Sequence, residues 1–162
     1  MITFDQKLIE YCNQWQPGGW PVGNLLLSLA ALVLCVLLVG IVGIERERSG
    51  KMVGSRTISL ICLGSTLFCL MSPNVFNADN SRVVAQIVSG IGFIGAGIIF
   101  KNGDEVKGLT TAATIWASAS IGALVGMGMF IEAAIGTIAV LFVNITFKFL
   151  KPKNKNNDIN KS

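Results

Sequence analysis

The chain of 162 residues contains no histidine, and this absence removes several kinds of site at once. It excludes a serine–histidine nucleophile pair, an HExxH zinc motif and an imidazole ligand for haem. The four cysteines form no CxxC pair, so a thiolate metal site is not indicated either. Acidic residues are few, and Asp79 and Asp104 fall in different loops, so they do not form a two-carboxylate site. The sequence therefore argues against enzymatic catalysis, and no cofactor is evident.

Charged residues are also scarce, at 14% of the chain, whereas hydrophobic residues make up 52%. Most of the hydrophobic residues lie in five apolar stretches. A helix that spans a bilayer needs about 20 apolar residues, with roughly 17 to 25 tolerated. The sequence therefore predicts an all-α polytopic membrane protein with five transmembrane helices. The stretches are Val22–Ile44, Thr57–Ser72, Val83–Phe100, Leu109–Phe130 and Ile131–Phe149.

The basic residues are distributed unequally between the loops. If the five stretches cross a bilayer in turn, Lys7 and Arg82 fall on one side and every other basic residue on the opposite side. Basic loops stay in the cytoplasm, and each such residue near an anionic inner leaflet contributes about 1 kcal/mol. We therefore predict the N-terminus outside and the C-terminus inside. A basic patch for nucleic acid is not indicated, because the charges are scattered. The cytoplasmic set is Arg46, Arg48, Lys51, Arg56, Lys101, Lys107, Lys148, Lys151, Lys153, Lys155 and Lys161.

The pattern predicts one membrane domain over residues 1–150 and a disordered basic cytoplasmic tail over 151–162. Residues 2–15 are predicted to form a short interfacial amphipathic helix; the alternative is a frayed segment before the first span. Three cysteines lie inside spans and are expected to pack, whereas Cys12 faces outward and is able to join two protomers. The apolar residues that define the amphipathic helix are Phe4, Leu8, Tyr11 and Trp15.

The third stretch is rich in glycine and contains a GxGxxG pattern. A dinucleotide site needs that pattern at a strand-to-helix turn, so inside an apolar span it does not indicate nucleotide binding. Two alternatives remain open. The small residues allow helices to approach closely in lipid, or the glycines unwind the helix and free backbone groups to bind an ion. The residues concerned are Gln86, Ser89, Gly90, Gly92, Gly95 and Gly97.

The fourth stretch carries small and hydroxylated residues at every fourth position. This stripe predicts a surface that packs against other helices, including helices of other proteins. The alternative is a polar path lined by the hydroxyls at the cytoplasmic end, including that of Thr111. Asn144 in the fifth stretch is expected to face protein, because an amide is costly in lipid. The stripe consists of Thr110, Thr114, Ser118, Gly122 and Gly126.

A mixed-charge cluster is predicted where the first span ends and the second begins. Glu45 and Arg48 stand at i,i+3 and are expected to pair on one helical face. The cluster either anchors the orientation of the protein or provides a carboxylate for a cation or a partner. We name it the inner-mouth cluster, and it comprises Glu45, Arg46, Glu47, Arg48 and Arg56.

Several of these segments together resemble the MgtC/SapB family of bacterial membrane proteins. They are Gly43–Lys51 with Arg56 and Thr57 shortly after, Gln86–Phe100 and Lys107–Ala117. Longer members of that family carry a soluble cytoplasmic domain after the last span, so the sequence is read as a short form.

The resemblance implies a multi-pass protein of the bacterial cytoplasmic (inner) membrane, linked to growth in scarce magnesium and to survival inside host cells. It also implies other membrane proteins, such as the F-type ATP synthase or ion pumps, as partners, with magnesium as the candidate ion. Transport is not an established activity of the family. The leading hypothesis is a homo-oligomeric, non-enzymatic regulator that binds other helices. The second is a small carrier for an ion or solute, with its path along the third helix.

Overall fold

The computed structural model describes residues 22–75, 80–103 and 105–150. These residues form five α-helices and one short β-hairpin. The predicted interfacial helix, Cys12 and the basic tail lie outside the described residues. In chain order the elements are α1 (Val22–Arg48), α2 (Ser55–Val75), α3 (Asn80–Ile98), β1 (Phe100–Asn102), β2 (Glu105–Lys107), α4 (Leu109–Gly126) and α5 (Phe130–Leu150).

Four helices in the described part of the chain are long and apolar enough to cross a membrane. They are the segments Leu26–Arg48, Ser81–Ile98, Leu109–Gly126 and Phe130–Lys148. The apolar part of α2, Ser55–Met71, is shorter. The helical membrane character expected from the apolar stretches is therefore confirmed. Five crossings, with the N-terminus outside and the C-terminus inside, stay a prediction.

Two of the differences between the helix boundaries and the apolar stretches have a clear physical cause. α1 continues through the charged residues to Arg48 instead of ending at Ile44, because charged side chains at the end of a span reach the membrane surface without breaking the helix. α4 ends at Gly126 and not at Phe130. The break follows from Gly128, whose φ of 80° is left-handed and terminates helices.

The structure adds one short β-hairpin between α3 and α4 to the expected helical fold. Its two strands are antiparallel, and Phe100 pairs with Lys107. Gly103 takes a φ of 61° in the turn, which suits glycine. The hairpin also removes Ile99 and Phe100 from the third apolar stretch, so α3 ends at Ile98.

The core lies where α2 crosses α4. A Cβ atom at Gly122 would overlap the carbonyl oxygen of Cys62, and one at Gly126 would lie 2.6 Å from both Cys69 Cβ and Thr66 O. The buried hydroxyl of Thr66 lies 2.9 Å from the carbonyl oxygen of Gly122 and donates to it. The two glycines therefore let the α2 and α4 backbones touch, as small residues do in membrane bundles.

The three cysteines in the described helices are free and buried, which confirms their predicted packing role. Cys35 of α1 and Cys62 of α2 belong to the same apolar cluster. α3 packs against α4 through Ile91, which meets the fully buried Ile115. Much of the remaining surface of α3 faces outward, and this one-sided packing bears on function.

Candidate functional site

The most polar buried region lies where α1 ends and α4 begins. Arg46 is only 2% exposed, although arginine side chains are rarely buried. Its Nη2 donates a hydrogen bond of 3.3 Å to Thr111 Oγ1 in the first turn of α4. Among the described residues no carboxylate forms an ion pair with Arg46. The guanidinium is therefore held inside the bundle by a hydroxyl and without a paired anion.

Glu45, next to Arg46, points to the junction with α5. Ser49 lies one turn further along the chain and donates a hydrogen bond of 2.6 Å to Glu45 Oε1. Lys148 of α5 in turn donates to Ser49 Oγ over 3.0 Å. Glu45, Ser49 and Lys148 therefore form a hydrogen-bonded relay that joins α1 to α5.

Asn144 completes the connection between α5 and α4. The hydroxyl of Thr114 donates to the carbonyl oxygen of Thr110 over 2.8 Å and lies 3.4 Å from Asn144 Oδ1. A hydroxyl has one hydrogen, so the shorter contact takes it and the amide of Asn144 is weakly held.

These contacts close into a ring that we call the polar ring. Arg46 meets α4 at Thr111, Thr114 meets α5 at Asn144, and Lys148 returns to α1 through Ser49. Three buried polar atoms of the ring have no hydrogen-bond partner: Glu45 Oε2, Arg46 Nε and Asn144 Nδ2. Such atoms are rare in folded proteins and each calls for a partner. The ring consists of Glu45, Arg46, Ser49, Thr111, Thr114, Asn144 and Lys148.

The structure divides the inner-mouth cluster. Glu45 and Arg46 enter the polar ring, whereas Arg48 and Arg56 are exposed. The expected pair between Glu45 and Arg48 is wrong, because Glu45 Oε1 is bonded to Ser49 instead. Glu47 takes a different role, since its Oε1 accepts hydrogen bonds from the backbone N–H and the hydroxyl of Ser55, at 2.9 and 2.8 Å.

The Glu47 carboxylate caps the first turn of α2, and its removal has a measurable cost. We expect Glu47→Ala to lower the free energy of unfolding by about 1 kcal/mol, because an orphan N–H of the helix loses its acceptor. Thermal unfolding of the purified protein in detergent measures the change. Arg48→Ala is the control and should leave stability unchanged, since Arg48 is exposed. Equal losses in the two variants would contradict the capping role.

The glycine and hydroxyl residues predicted on α3 and α4 lie in different environments in the structure. Gly122 and Gly126 face α2 of the same chain, so this part of the surface expected to bind other proteins is already occupied. Ser118 is buried and bonds back to the carbonyl oxygen of Thr114, whereas Thr110 is exposed. On α3, Gly95 faces Ala112, and the remaining residues of the predicted set are exposed: Gln86, Ser89, Gly90, Gly92 and Gly97.

Sequence reasoning missed two members of the ring. Ser49 follows Glu45 by four residues and Lys148 follows Asn144 by four, which places each pair on one helical face. That spacing was the available signal. The spacing was not used because Ser49 lies beyond the apolar stretch and Lys148 was counted only among the cytoplasmic basic residues.

The chain matches a known protein family over most of its length. The family model of the MgtC family matches residues 32–153, which include every residue of the polar ring. This chain belongs to the MgtC family. No solved structure matches the chain.

Curated relatives in Salmonella and Brucella carry the name MgtC. Protein MgtC of Salmonella typhimurium (strain LT2) is 44% identical over 117 residues, which are 72% of this chain and 51% of that protein. Protein MgtC of Brucella abortus (strain 2308) is 46% identical over 119 residues, 72% of this chain and 50% of that protein. An uncharacterized protein of Synechocystis is 46% identical over 123 residues, 75% and 52% respectively. The chain spans about half the length of the curated relatives it matches.

The donor set of the polar ring does not fit magnesium, the ion that resemblance to the MgtC family suggested. Mg²⁺ is held by oxygen ligands, usually one or two carboxylates. The ring has a single carboxylate, Glu45, and it places the cationic Arg46 and Lys148 beside it. Among the described residues no group of three or more histidine, cysteine, aspartate or glutamate side chains is able to hold a metal. With two cationic side chains beside its one carboxylate, the polar ring is a poor fit for a magnesium ion.

Proposed function

We propose that this member of the MgtC family is a non-enzymatic, multi-pass protein of the bacterial cytoplasmic membrane that regulates other membrane proteins by binding their helices. The observation that carries the proposal is the outward face of α3, which combines open glycines with an amide at membrane depth. We call it the α3 face, and it comprises Gln86, Ser89, Gly90, Phe93 and Gly97.

The α3 face is shaped for close approach by another helix. No atom lies within 4 Å of the position that a Cβ would take at Gly90 or Gly97. Phe93 projects from the same helix and is 85% exposed. In lipid, helices associate through packing at small residues, since there is no water to expel. A flat glycine surface beside a projecting ring supports docking of a partner helix.

The amide of Gln86 supports a protein partner in preference to lipid alone. Gln86 is exposed within the apolar segment Ser81–Ile98, where hydrocarbon offers no hydrogen bond. It lines a cavity of about 730 Å³ between α2 and α3. The cavity is otherwise bordered largely by apolar side chains, with Arg82 one turn from Gln86. A partner helix with a polar group at this level would satisfy the amide.

Resemblance to the family supplies the candidates for the partner and the setting. The ATP synthase and ion pumps are the candidate partners, and adaptation to low magnesium and survival inside host cells are the proposed setting. A second copy of the chain would use the same face to form a homo-oligomer. The carrier alternative has less support, because α3 is a continuous helix from Asn80 to Ile98 and frees no backbone groups for an ion.

The α3 face is tested by filling its glycines. We expect Gly90→Leu combined with Gly97→Leu to reduce the partner protein recovered from native membranes by at least about tenfold, because the new side chains hold the partner backbone away. Recovery is measured by cross-linking followed by pull-down with the tagged chain. Both positions open onto free space, so the bundle itself should remain folded.

Gly40→Leu is the matched control. Gly40 lies on α1 and also has no atom within 4 Å of the position of a Cβ, but the apolar segment Leu26–Arg48 around it contains no asparagine or glutamine. This variant should recover the partner like the natural chain. Undiminished recovery with the double α3 variant would exclude the α3 face as the binding surface. Loss with Gly40→Leu as well would show that the effect is not specific to α3.

A further inference from the structure

The unpaired atoms of the polar ring define the chemistry of what would satisfy them. Arg46 Nε and Asn144 Nδ2 are hydrogen-bond donors, so they need acceptor atoms. Glu45 Oε2 is an acceptor and needs a donor. A single group that meets all three must therefore present at least two acceptors and one hydrogen.

The charge of the ring favours an anion. Arg46 and Lys148 are cationic and Glu45 is anionic, so the ring carries a formal net charge of +1. The first turn of α4 adds to this field, since Thr111 belongs to it and no side chain caps the helix at Gly108. Helix N-termini favour anions, and arginine matches the geometry of oxyanions.

We propose that the polar ring binds a phosphate group that retains a hydrogen, either free phosphate or a phosphate monoester headgroup. Two phosphate oxygens accept from Arg46 and Asn144, and the P–OH group donates to Glu45. Lys148 contributes charge at the edge of the ring. It is the one ring residue with an exposed side chain, so its displacement opens the ring to a ligand.

The carboxylate of Glu45 gives the site its selectivity. Sulfate has the same shape and charge sign as phosphate but carries no hydrogen at neutral pH, so its oxygens would face the Glu45 carboxylate without a bond. Phosphodiesters, such as phosphatidylglycerol, also have no P–OH group at neutral pH, because their one acidic oxygen is ionised. An unpaired charge in a buried site is costly, and specificity follows from that cost.

Binding of free phosphate is tested by equilibrium dialysis of radiolabelled phosphate with the full chain in phosphatidylcholine nanodiscs. We expect saturable binding that sulfate does not displace. Asn144→Leu should weaken phosphate binding at least about tenfold, because one hydrogen bond to a charged ligand is lost. Size-exclusion chromatography and circular dichroism show whether the variant keeps its fold.

Glu45→Gln gives a readout that a structural role would not produce. The amide of glutamine donates a hydrogen bond, so the variant should bind sulfate more tightly and phosphate more weakly, which inverts the natural preference. Glu47→Gln is the matched control. Glu47 is the neighbouring glutamate outside the ring, and this variant should keep the preference for phosphate.

A second arm distinguishes the source of the phosphate. Nanodiscs that contain phosphatidic acid or phosphatidylglycerol are compared by native mass spectrometry. Selective retention of phosphatidic acid, stronger at pH about 6 where the monoester gains its hydrogen, assigns the site to a lipid headgroup. Binding of free phosphate at neutral pH without lipid selection assigns it to the soluble ion. The proposal is overturned if neither phosphate nor phosphatidic acid binds, or if Glu45→Gln leaves the preference unchanged.

Discussion

Gly122→Ala is expected to lower the free energy of unfolding by at least about 2 kcal/mol, although it adds one methyl group. The new Cβ would overlap the carbonyl oxygen of Cys62 and lie 2.9 Å from its carbonyl carbon. Backbone atoms cannot rotate away, so α2 and α4 must separate. The hydrogen bond of 2.9 Å from Thr66 to the carbonyl oxygen of Gly122 would be strained by the same movement.

Unfolding by a denaturing detergent, followed by circular dichroism, measures this change. Gly136→Ala is the matched control, because a Cβ there would lie 3.6 Å from Ile121 Cγ1, an ordinary contact. Alanine is the better helix former, so the control should be neutral or slightly stabilising. If Gly122→Ala behaved like Gly136→Ala, the contact between α2 and α4 would be looser than the structure has it.

Arg46→Met is expected to abolish phosphate binding without lowering the thermal stability of the protein. Arg46 is buried without a paired carboxylate, and its Nε has no partner. Replacing a buried charge that has no ion pair with an apolar side chain of similar length removes its desolvation cost. The thermal midpoint in detergent should therefore stay constant or rise. Binding of phosphate, measured by dialysis, should fall below detection.

Arg48→Met serves as the control, because Arg48 is exposed two residues away on the same helix and should change neither property. A large fall in the thermal midpoint of Arg46→Met would show that the guanidinium stabilises the bundle. The polar ring would then be a structural network. Residues that lower stability and are required for binding are typical of functional sites.

The membrane helices could be predicted from sequence because each is encoded by a long run of apolar residues. Runs of apolar residues predicted α1 and α5 closely, and glycines in the fourth stretch predicted tight packing. The ends of the helices were harder to predict, because α1 continues through the charged residues Glu45 to Arg48, beyond the end of its apolar stretch. The hairpin was missed because strands of three residues leave no hydrophobic period to detect.

The candidate site was predictable in its parts and not in its assembly. Glu45, Arg46 and Asn144 stood out as polar groups near apolar spans. Their meeting depends on which faces of α1, α4 and α5 turn toward each other, which is a property of tertiary packing. For the same reason sequence predicted close packing at Gly122 and Gly126 but not which helix they contact, and the structure shows that it is α2.

The hairpin between α3 and α4 has a mechanical consequence. Gly108 takes a φ of 92° and leaves no space for a side chain against the carbonyl oxygen of Ile98. The end of α3 and the residue that precedes α4 are therefore in direct backbone contact. A displacement of α3 is therefore expected to move the first turn of α4, and with it Thr111 and its hydrogen bond with Arg46.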